Sequence, residues 1–340
     1  MVKGTKGSHH KEGSTKMSKH NMVCAGIDTA KHKLDVALNE GPHHQQLGND
    51  AAGHGKLVTW LHRHGVERVG IEASGGYEQA VVRYLRRAGF VVVVFQPSRV
   101  RAYAEFLLQL AKNDKIDAAL IAVCTAALNA EKIHPAPDPR LGPFAAHQTL
   151  IDQLNEDIAR YKTRRESCRD GHLGQYWKEE ITRLKGRVRA EIKQLAAAIR
   201  QHPDLAERLR LIESVDGIGL PSAISILVRM PEIGSVTREQ AAALAGLAPY
   251  DDDSSDRRGQ RHIRGGRERL RRSLYTAAFP ASLHWNSQLM ALYRRLIKAG
   301  KGHKRALIAC ARKLLIFVNA VVERGTPWVK QPAAPQPLAS

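Results

Sequence analysis

Four carboxylates and one hydroxyl carry the first chemical signal in this chain. Asp28 closes the apolar run CAGI and Glu72 closes RVGI, so each ends a short strand-like segment. Asp114 and Asp117, in KNDKIDA, stand three residues apart near the start of a helical pattern. That spacing puts both on one helix face, with Cβ atoms about 5–6 Å apart. Carboxylates brought together repel; a pair about 4 Å apart costs roughly 4 kcal/mol at an effective dielectric near 20. A hard divalent cation offsets this, and Mg²⁺ works with few carboxylates plus substrate phosphate oxygens. Two such ions about 3.5–4 Å apart stabilise in-line displacement at phosphorus. Singly, the acids have ordinary readings: Asp114 as a helix N-terminal acid favoured by the macrodipole, Glu72 as a loop acid. Their strand, strand, helix order is what makes the set specific.

The hydroxyl lies in APYDDDSSDRRGQRHIRGG, residues 248–266. No core can take up four acids and four arginines without heavy desolvation. Ser254 precedes Arg257, Arg258, Arg261 and Arg264, with Arg267 just beyond. A serine alone is a poor nucleophile, but guanidinium forks bind phosphate oxygens and neutralise charge that builds during attack. The pattern suits covalent attack on a phosphodiester, and equally an exposed Arg-rich loop that only grips a backbone. Upstream, LIESVDGIGLPSAISIL has the form helix, Gly-Ile-Gly, helix. Gly217 and Gly219 there let backbone N–H groups approach a phosphate at a helix N-terminus, or make an ordinary tight turn.

These groups need elements to hold them. From Met22 the pattern is α/β. MVCAGIDTA, KLDVALN, RVGIEA and GFVVVVFQP read as strands, the last as one buried on both faces. Helical patterns fall at about 51–64, 76–89, 97–110 and 113–130. The proline-rich EKIHPAPDPRLGP, residues 131–143, breaks the pattern. Apolar residues at helical spacing then predict two long amphipathic helices over 143–203, an antiparallel pair or a coiled coil, with RDGHLGQ as the turn. An all-helical region follows from Asp204. Thr237 and Gln240 have capping-box form, and glycines after the last two helices match C-caps.

Composition bounds the partner. Among 340 residues, 53 Lys+Arg against 33 Asp+Glu give a net charge of +20. Such a balance favours a polyanion, nucleic acid ahead of an anionic membrane. Four scattered cysteines, Cys24, Cys124, Cys168 and Cys310, suggest neither a disulfide framework nor a zinc site and fit a reducing cytoplasm. Residues 1–21 are polar, basic and without an apolar core, unlike a signal peptide. They read as a disordered arm or a cloning scar, and 329–340 as a disordered Pro/Ala tail.

Asp28, Glu72, KNDKIDA, VDGIG, LAGLAP followed five residues on by Ser254, HIRGGRERLRRSLY and AGKGHKRALIACARKLLIFVNAVVERGTPW together resemble one family. It is that of bacterial insertion-sequence transposases with an N-terminal DEDD domain and a C-terminal serine-bearing domain, also called bridge recombinases. The resemblance runs from about Met22 to Trp328. It implies a ribonuclease-H-like, resolvase-like domain over 22–142, coiled-coil helices over 143–203 and a serine transposase domain with a helix-hairpin-helix over 204–328. It also implies Mg²⁺ (or Mn²⁺) on Asp28, Glu72, Asp114 and Asp117, and a phosphoserine link through Ser254. Donor and target DNA, a structured bridge RNA as guide, and dimers or tetramers would be the partners, in the bacterial cytoplasm at the nucleoid. The family serine is usually followed by glycine, whereas Ser255 and Asp256 follow here, which leaves Ser255 open as the nucleophile. Asp251, Asp252 and Asp253 read as metal contacts, a base, or solvated charge. The alternative function is a metal-dependent, structure-specific DNA nuclease whose serine loop only binds.

Overall fold

The computed structural model describes residues 22–108, 114–129, 138–250 and 262–329, with side chains omitted at Asp114 and Lys115. The arm over 1–21, nearly all of the tail and the Ser254 segment lie outside the described residues. The chain divides after residue 136 into two units.

The first unit is built on five strands: β1 (Cys24–Thr29), β2 (Lys33–Leu38), β3 (His44–Gly48), β4 (Arg68–Glu72) and β5 (Val91–Phe95). Their order is β3-β2-β1-β4-β5. β1, β2 and β3 form an antiparallel meander, and β4 and β5 run parallel to β1. This is the ribonuclease-H-like arrangement. Alternation assigns the faces. Ala25, Ile27, Leu34, Val36, Val69 and Ile71 share an apolar cluster with Leu57 and Leu61 of α1 (Ala51–Arg63) and Val81 and Leu85 of α2 (Gln79–Arg87). The opposite face receives α4 (Asp114–Ala126); α3 (Pro97–Phe106) packs beside α4.

Two strands differ from expectation. β3 carries HQQLG, with no apolar alternation, so its sequence gave no signal; pairing with β2 makes it a strand. β5 was expected to be buried on both faces, but it is the sheet's last strand, and Val91 and Val94 are 47% and 41% exposed. A run of valines records β propensity as well as burial.

The second unit is helical apart from one two-stranded ribbon. Its helices are α5 (Leu141–Ser167), α6 (Gly171–Arg200), α7 (Pro203–Glu213), α8 (Leu220–Arg229), α9 (Arg238–Leu244), α10 (Glu268–Pro280), α11 (Ser287–Lys298) and α12 (His303–Arg324), with a π-helical turn at Ala281–Trp285. α5 and α6 are antiparallel: Tyr161 meets Trp177, and His147, further back along α5, meets Glu191, further on along α6. The turn is shorter than RDGHLGQ, because Asp170 accepts from Leu173 N at 2.9 Å and caps α6 at once. An N-cap carboxylate outweighs the two glycines that follow it. The Thr237–Gln240 capping box is formed. One apolar cluster runs from Leu141 of α5 to Val321 of α12, so the long helix pair and the later helices share a core. Among the described residues no helix is long and apolar enough to cross a membrane.

Candidate active site

The acids are placed by the sheet and by α4. Parallel pairing of Ile27 with Ile71 sets Asp28 and Glu72 side by side at the C-terminal ends of β1 and β4. Gly26 and Gly70, two residues back, lie on the same faces as these acids. A Cβ at Gly26 would meet Ala118 O at 2.1 Å and Ala122 N at 2.2 Å; one at Gly70 would meet Thr125 Oγ1 at 1.9 Å. The α4 backbone therefore rides on glycine positions, and Asp28 and Glu72 point to the α4 side. Arg68, at the opposite end of β4, is buried and donates to Leu128 O at 3.0 Å and Thr125 O at 3.4 Å. This fixes the C-terminal end of α4 at the start of β4. The helix runs counter to β1 and β4, and its first turn, with Asp114 and Asp117, lies at the Asp28–Glu72 end.

The sheet adds an acid that sequence reasoning missed. Asp35 in β2 pairs directly across from Asp28 and is only 2% exposed. Gln46 Nε2 donates to it at 2.9 Å, and Lys33 Nζ and His44 Nε2 lie 3.2 and 3.6 Å away. Directly opposed side chains share a face about 4.5–5.5 Å apart at Cβ, so Asp35 places a second charge beside Asp28. A charged residue mid-way along KLDVAL was the available signal.

The loop after Glu72 is pinned by Glu78. Its Oε2 accepts from Ser74 N (3.0 Å), Ser74 Oγ (3.1 Å) and Gly76 N (2.9 Å). Burial opposes ionisation, but these hydrogen bonds outweigh it and hold the carboxyl below its usual range.

The oxygen-only character of Asp28, Glu72, Asp114 and Asp117 suits a hard divalent ion. Among the described residues no three His, Cys, Asp or Glu side chains form a ligand set. Any such set therefore needs the Asp114 carboxylate or a shift of the described acids.

In the second unit, β6 (Pro249–Tyr250) and β7 (His262–Ile263) pair antiparallel, Pro249 with Ile263 and Tyr250 with His262. Ser254, Ser255, Arg257, Arg258 and Arg261 fall between these strands, outside the described residues. The foot of the ribbon is glycine on glycine. Gly246 and Gly266 take φ +68°, and a Cβ on Gly266 would meet Gly246 N at 2.2 Å. Arg267 N donates to Leu244 O at 2.8 Å, and Arg271 to Gly265 O at 2.6 Å. The chain thus leaves α9 and returns to α10 at one point. Arg264 is exposed, its guanidinium 5.3 Å from the Tyr250 ring centre. Arg267 forks onto Glu232 at 2.8 and 2.7 Å. It braces the return to α10, so its expected role on nucleic acid competes with an internal partner.

The Gly-Ile-Gly turn joins α7 to α8, and its glycines differ. Gly217 has φ +97° and packs where a Cβ would meet Ala281 Cβ at 2.3 Å, which is a packing requirement. Gly219 is the exposed N-cap of α8 with no side-chain cap, and its backbone is open to approach.

A ribonuclease-H-like sheet with carboxylates at one end, joined to a helical unit that projects an arginine-flanked ribbon, defines a class of nucleic-acid-processing enzyme. Residues 25–169 match the family described as "Transposase" (DEDD_Tnp_IS110), and 209–294 match "Transposase IS116/IS110/IS902 family". The chain belongs to this IS110-type transposase family, whose members are DNA transposases and recombinases. It is 26% identical to a pilin gene-inverting protein of Moraxella bovis over 322 residues, covering 90% of this chain and 97% of that one. The Moraxella lacunata counterpart matches to the same extent. A protein of insertion element IS110 from Streptomyces coelicolor is 28% identical over 162 residues, 47% of this chain and 39% of that one. Among solved structures, Thermus thermophilus RuvC in complex with a Holliday junction substrate covers 30% of this chain and 90% of its own, at 19% identity and a TM-score of 0.24.

Proposed function

We propose that this transposase cleaves and rejoins donor and target DNA through a covalent phosphoserine intermediate, guided by a structured RNA. The observation that carries the reading is the glycine-locked ribbon whose two strands bracket Ser254 in sequence. In the cleavage step Ser254 Oγ attacks phosphorus, and an Oγ–P ester forms as one phosphodiester P–O bond breaks. The departing strand leaves as a hydroxyl, taking up a proton; rejoining reverses the step. Arg264, with Arg257, Arg258 and Arg261, neutralises the phosphate. Asp28, Glu72, Asp114 and Asp117 are the residues to hold a divalent ion, Mg²⁺ by donor chemistry, which supplies Lewis-acid polarisation of phosphate oxygens when bound. A composite site drawing acids and serine from different protomers of a dimer or tetramer fits the placement of the two sets in separate units. A guide RNA fits the +20 charge and the family resemblance.

Inverting a DNA segment requires strands to be both broken and rejoined. The relatives named for gene inversion therefore favour recombination over nuclease action alone. The test is to trap the protein on DNA and look for a covalent adduct. Ser254→Ala is expected to abolish adduct and strand exchange, and Asp28→Ala to abolish metal-dependent exchange. If only Ser255→Ala abolishes the adduct, the nucleophile is Ser255. Normal recombination by both serine variants would refute the serine mechanism. Sequencing the RNA that copurifies tests guidance; a short structured transcript from sequence flanking the gene is expected, and random cellular RNA would count against it.

A further inference from the structure

The sheet face under α4 carries a lysine at its acid end. Alternation puts Asp28 of β1, Lys33 and Asp35 of β2 and Glu72 of β4 on that face. β2 runs antiparallel to β1, so its first residue, Lys33, lies at the end where Asp28 and Glu72 stand. Arg68, the other fixed cation that the strands place on this face, is at the far end of β4 and donates to Leu128 O and Thr125 O.

Asp35 fixes where the Lys33 charge stands. Its side chain is only 3% exposed, and a buried carboxylate has to be paired. Gln46 Nε2 donates to Oδ1 at 2.9 Å, and Lys33 Nζ lies 3.2 Å from Oδ2. Lys33 keeps 41% of its side chain exposed. The pair is therefore asymmetric, with the anion sealed in the sheet and the cation within reach of solvent. A long side chain is thus restrained before substrate arrives, and charges set in advance need no reorganisation during a reaction. The electrostatics of this end favour such a cation. Asp28, Glu72 and Asp117 are acids, and an incoming phosphate adds a further negative charge. One divalent ion offsets two of these charges, so a lysine on the same face lowers the cost of bringing the phosphate in.

We propose that Lys33 is a catalytic residue of this transposase: its ammonium, held by Asp35, contacts the phosphate of the DNA strand at the acid end and neutralises the charge that builds on its oxygens. Asp35 is the positioning residue for Lys33. The placement rests on the reading of Asp28 and Glu72 as ion-holding acids.

The test uses the full chain with its copurifying RNA, Mn²⁺ as the metal probe and a labelled plasmid carrying the DNA that flanks the gene. Cleavage rates are taken at protein concentrations that saturate the DNA. Lys33→Ala is expected to slow cleavage about 10²-fold at saturation, and Lys33→Arg to recover most of that loss. The rise in melting temperature on adding Mn²⁺ should persist in Lys33→Ala and fall sharply in Asp28→Ala. A lysine that only balances Asp35 predicts something different. Lys33→Ala would then act by leaving a buried carboxylate unpaired, and adding Asp35→Asn would restore both melting temperature and rate. A catalytic lysine requires the double variant Lys33→Ala/Asp35→Asn to regain melting temperature while cleavage stays at the Lys33→Ala level. Recovery of the rate in the double variant would overturn the proposal. So would an unchanged rate in Lys33→Ala, or loss of its Mn²⁺ response. Asp28→Ala keeps the two readings apart. If it abolishes cleavage and the Mn²⁺ response while Lys33→Ala cleaves normally, the lysine fails and the acid site stands. If Asp28→Ala cleaves normally and keeps the Mn²⁺ response while Lys33→Ala is slow, the acid reading fails and the lysine contact stands.

Discussion

Gly266 does at the serine ribbon what no other residue type can. Its φ of +68° is a left-handed conformation, and the space beside it is filled by Gly246 N. A side chain there meets two penalties, roughly 1–2 kcal/mol for the backbone and a steric displacement of the ribbon's foot. Gly265 separates them, since it has φ +66° and open space. Gly266→Ala is therefore expected to lower the melting temperature clearly more than Gly265→Ala, and to impair strand exchange as the ribbon shifts. Similar losses from both would mean that backbone conformation alone matters. Glu78 gives a pH test. Its folded pKa is depressed, so the stability it contributes is present above the unfolded value of about 4.3 and is lost as pH falls through the lower folded value. Urea midpoints of the parent and Glu78→Gln should differ most near neutrality and converge below about pH 4. At this scale the sequence was informative where a charged residue closes an apolar run, as Asp28 and Glu72 do. Asp35 was passed over because its role depends on register: only antiparallel pairing of β1 with β2 brings it opposite Asp28.

Elements were legible where local signals agree and obscure where tertiary pairing decides. α9 announced itself through Thr237 and Gln240, and both capping bonds are present. β3 had no such signal, because an edge strand of polar residues is specified by its partner. Helix packing hides equally specific contacts. Arg229 of α8 is ion-paired with Asp152 of α5, and both side chains are largely removed from solvent, at 14% and 23% exposure. Burial pulls the Arg229 pKa down, against the attraction of Asp152. Asp152→Ala strands a buried cation and is expected to cost about 2–3 kcal/mol. For a unit of this size that is a fall of roughly 5–10 °C in melting temperature. Breaking the exposed Arg183–Glu180 pair on α6 should change it little. Comparable losses from both would show that α5 and α8 do not rely on this buried contact.

The whole molecule combines a large positive charge with the covalent chemistry proposed above, and salt acts on the first and not on the second. With +20 spread over 340 residues, DNA binding must release counterions. Contact with about 6–10 phosphates loses some 10³–10⁵ in affinity between about 50 and 200 mM salt. Initial complexes should therefore dissolve when salt is raised before metal is added. A phosphoserine ester does not depend on counterion release. If salt is raised after metal has started the reaction, a fraction of DNA should stay attached to protein through the challenge, and Ser254→Ala should eliminate that fraction. A nuclease acting through the acids alone would release all of its cut DNA under the same challenge. Adding metal before or after the salt step, with labelled DNA resolved on a denaturing gel, decides between a strand held for rejoining and one merely cut.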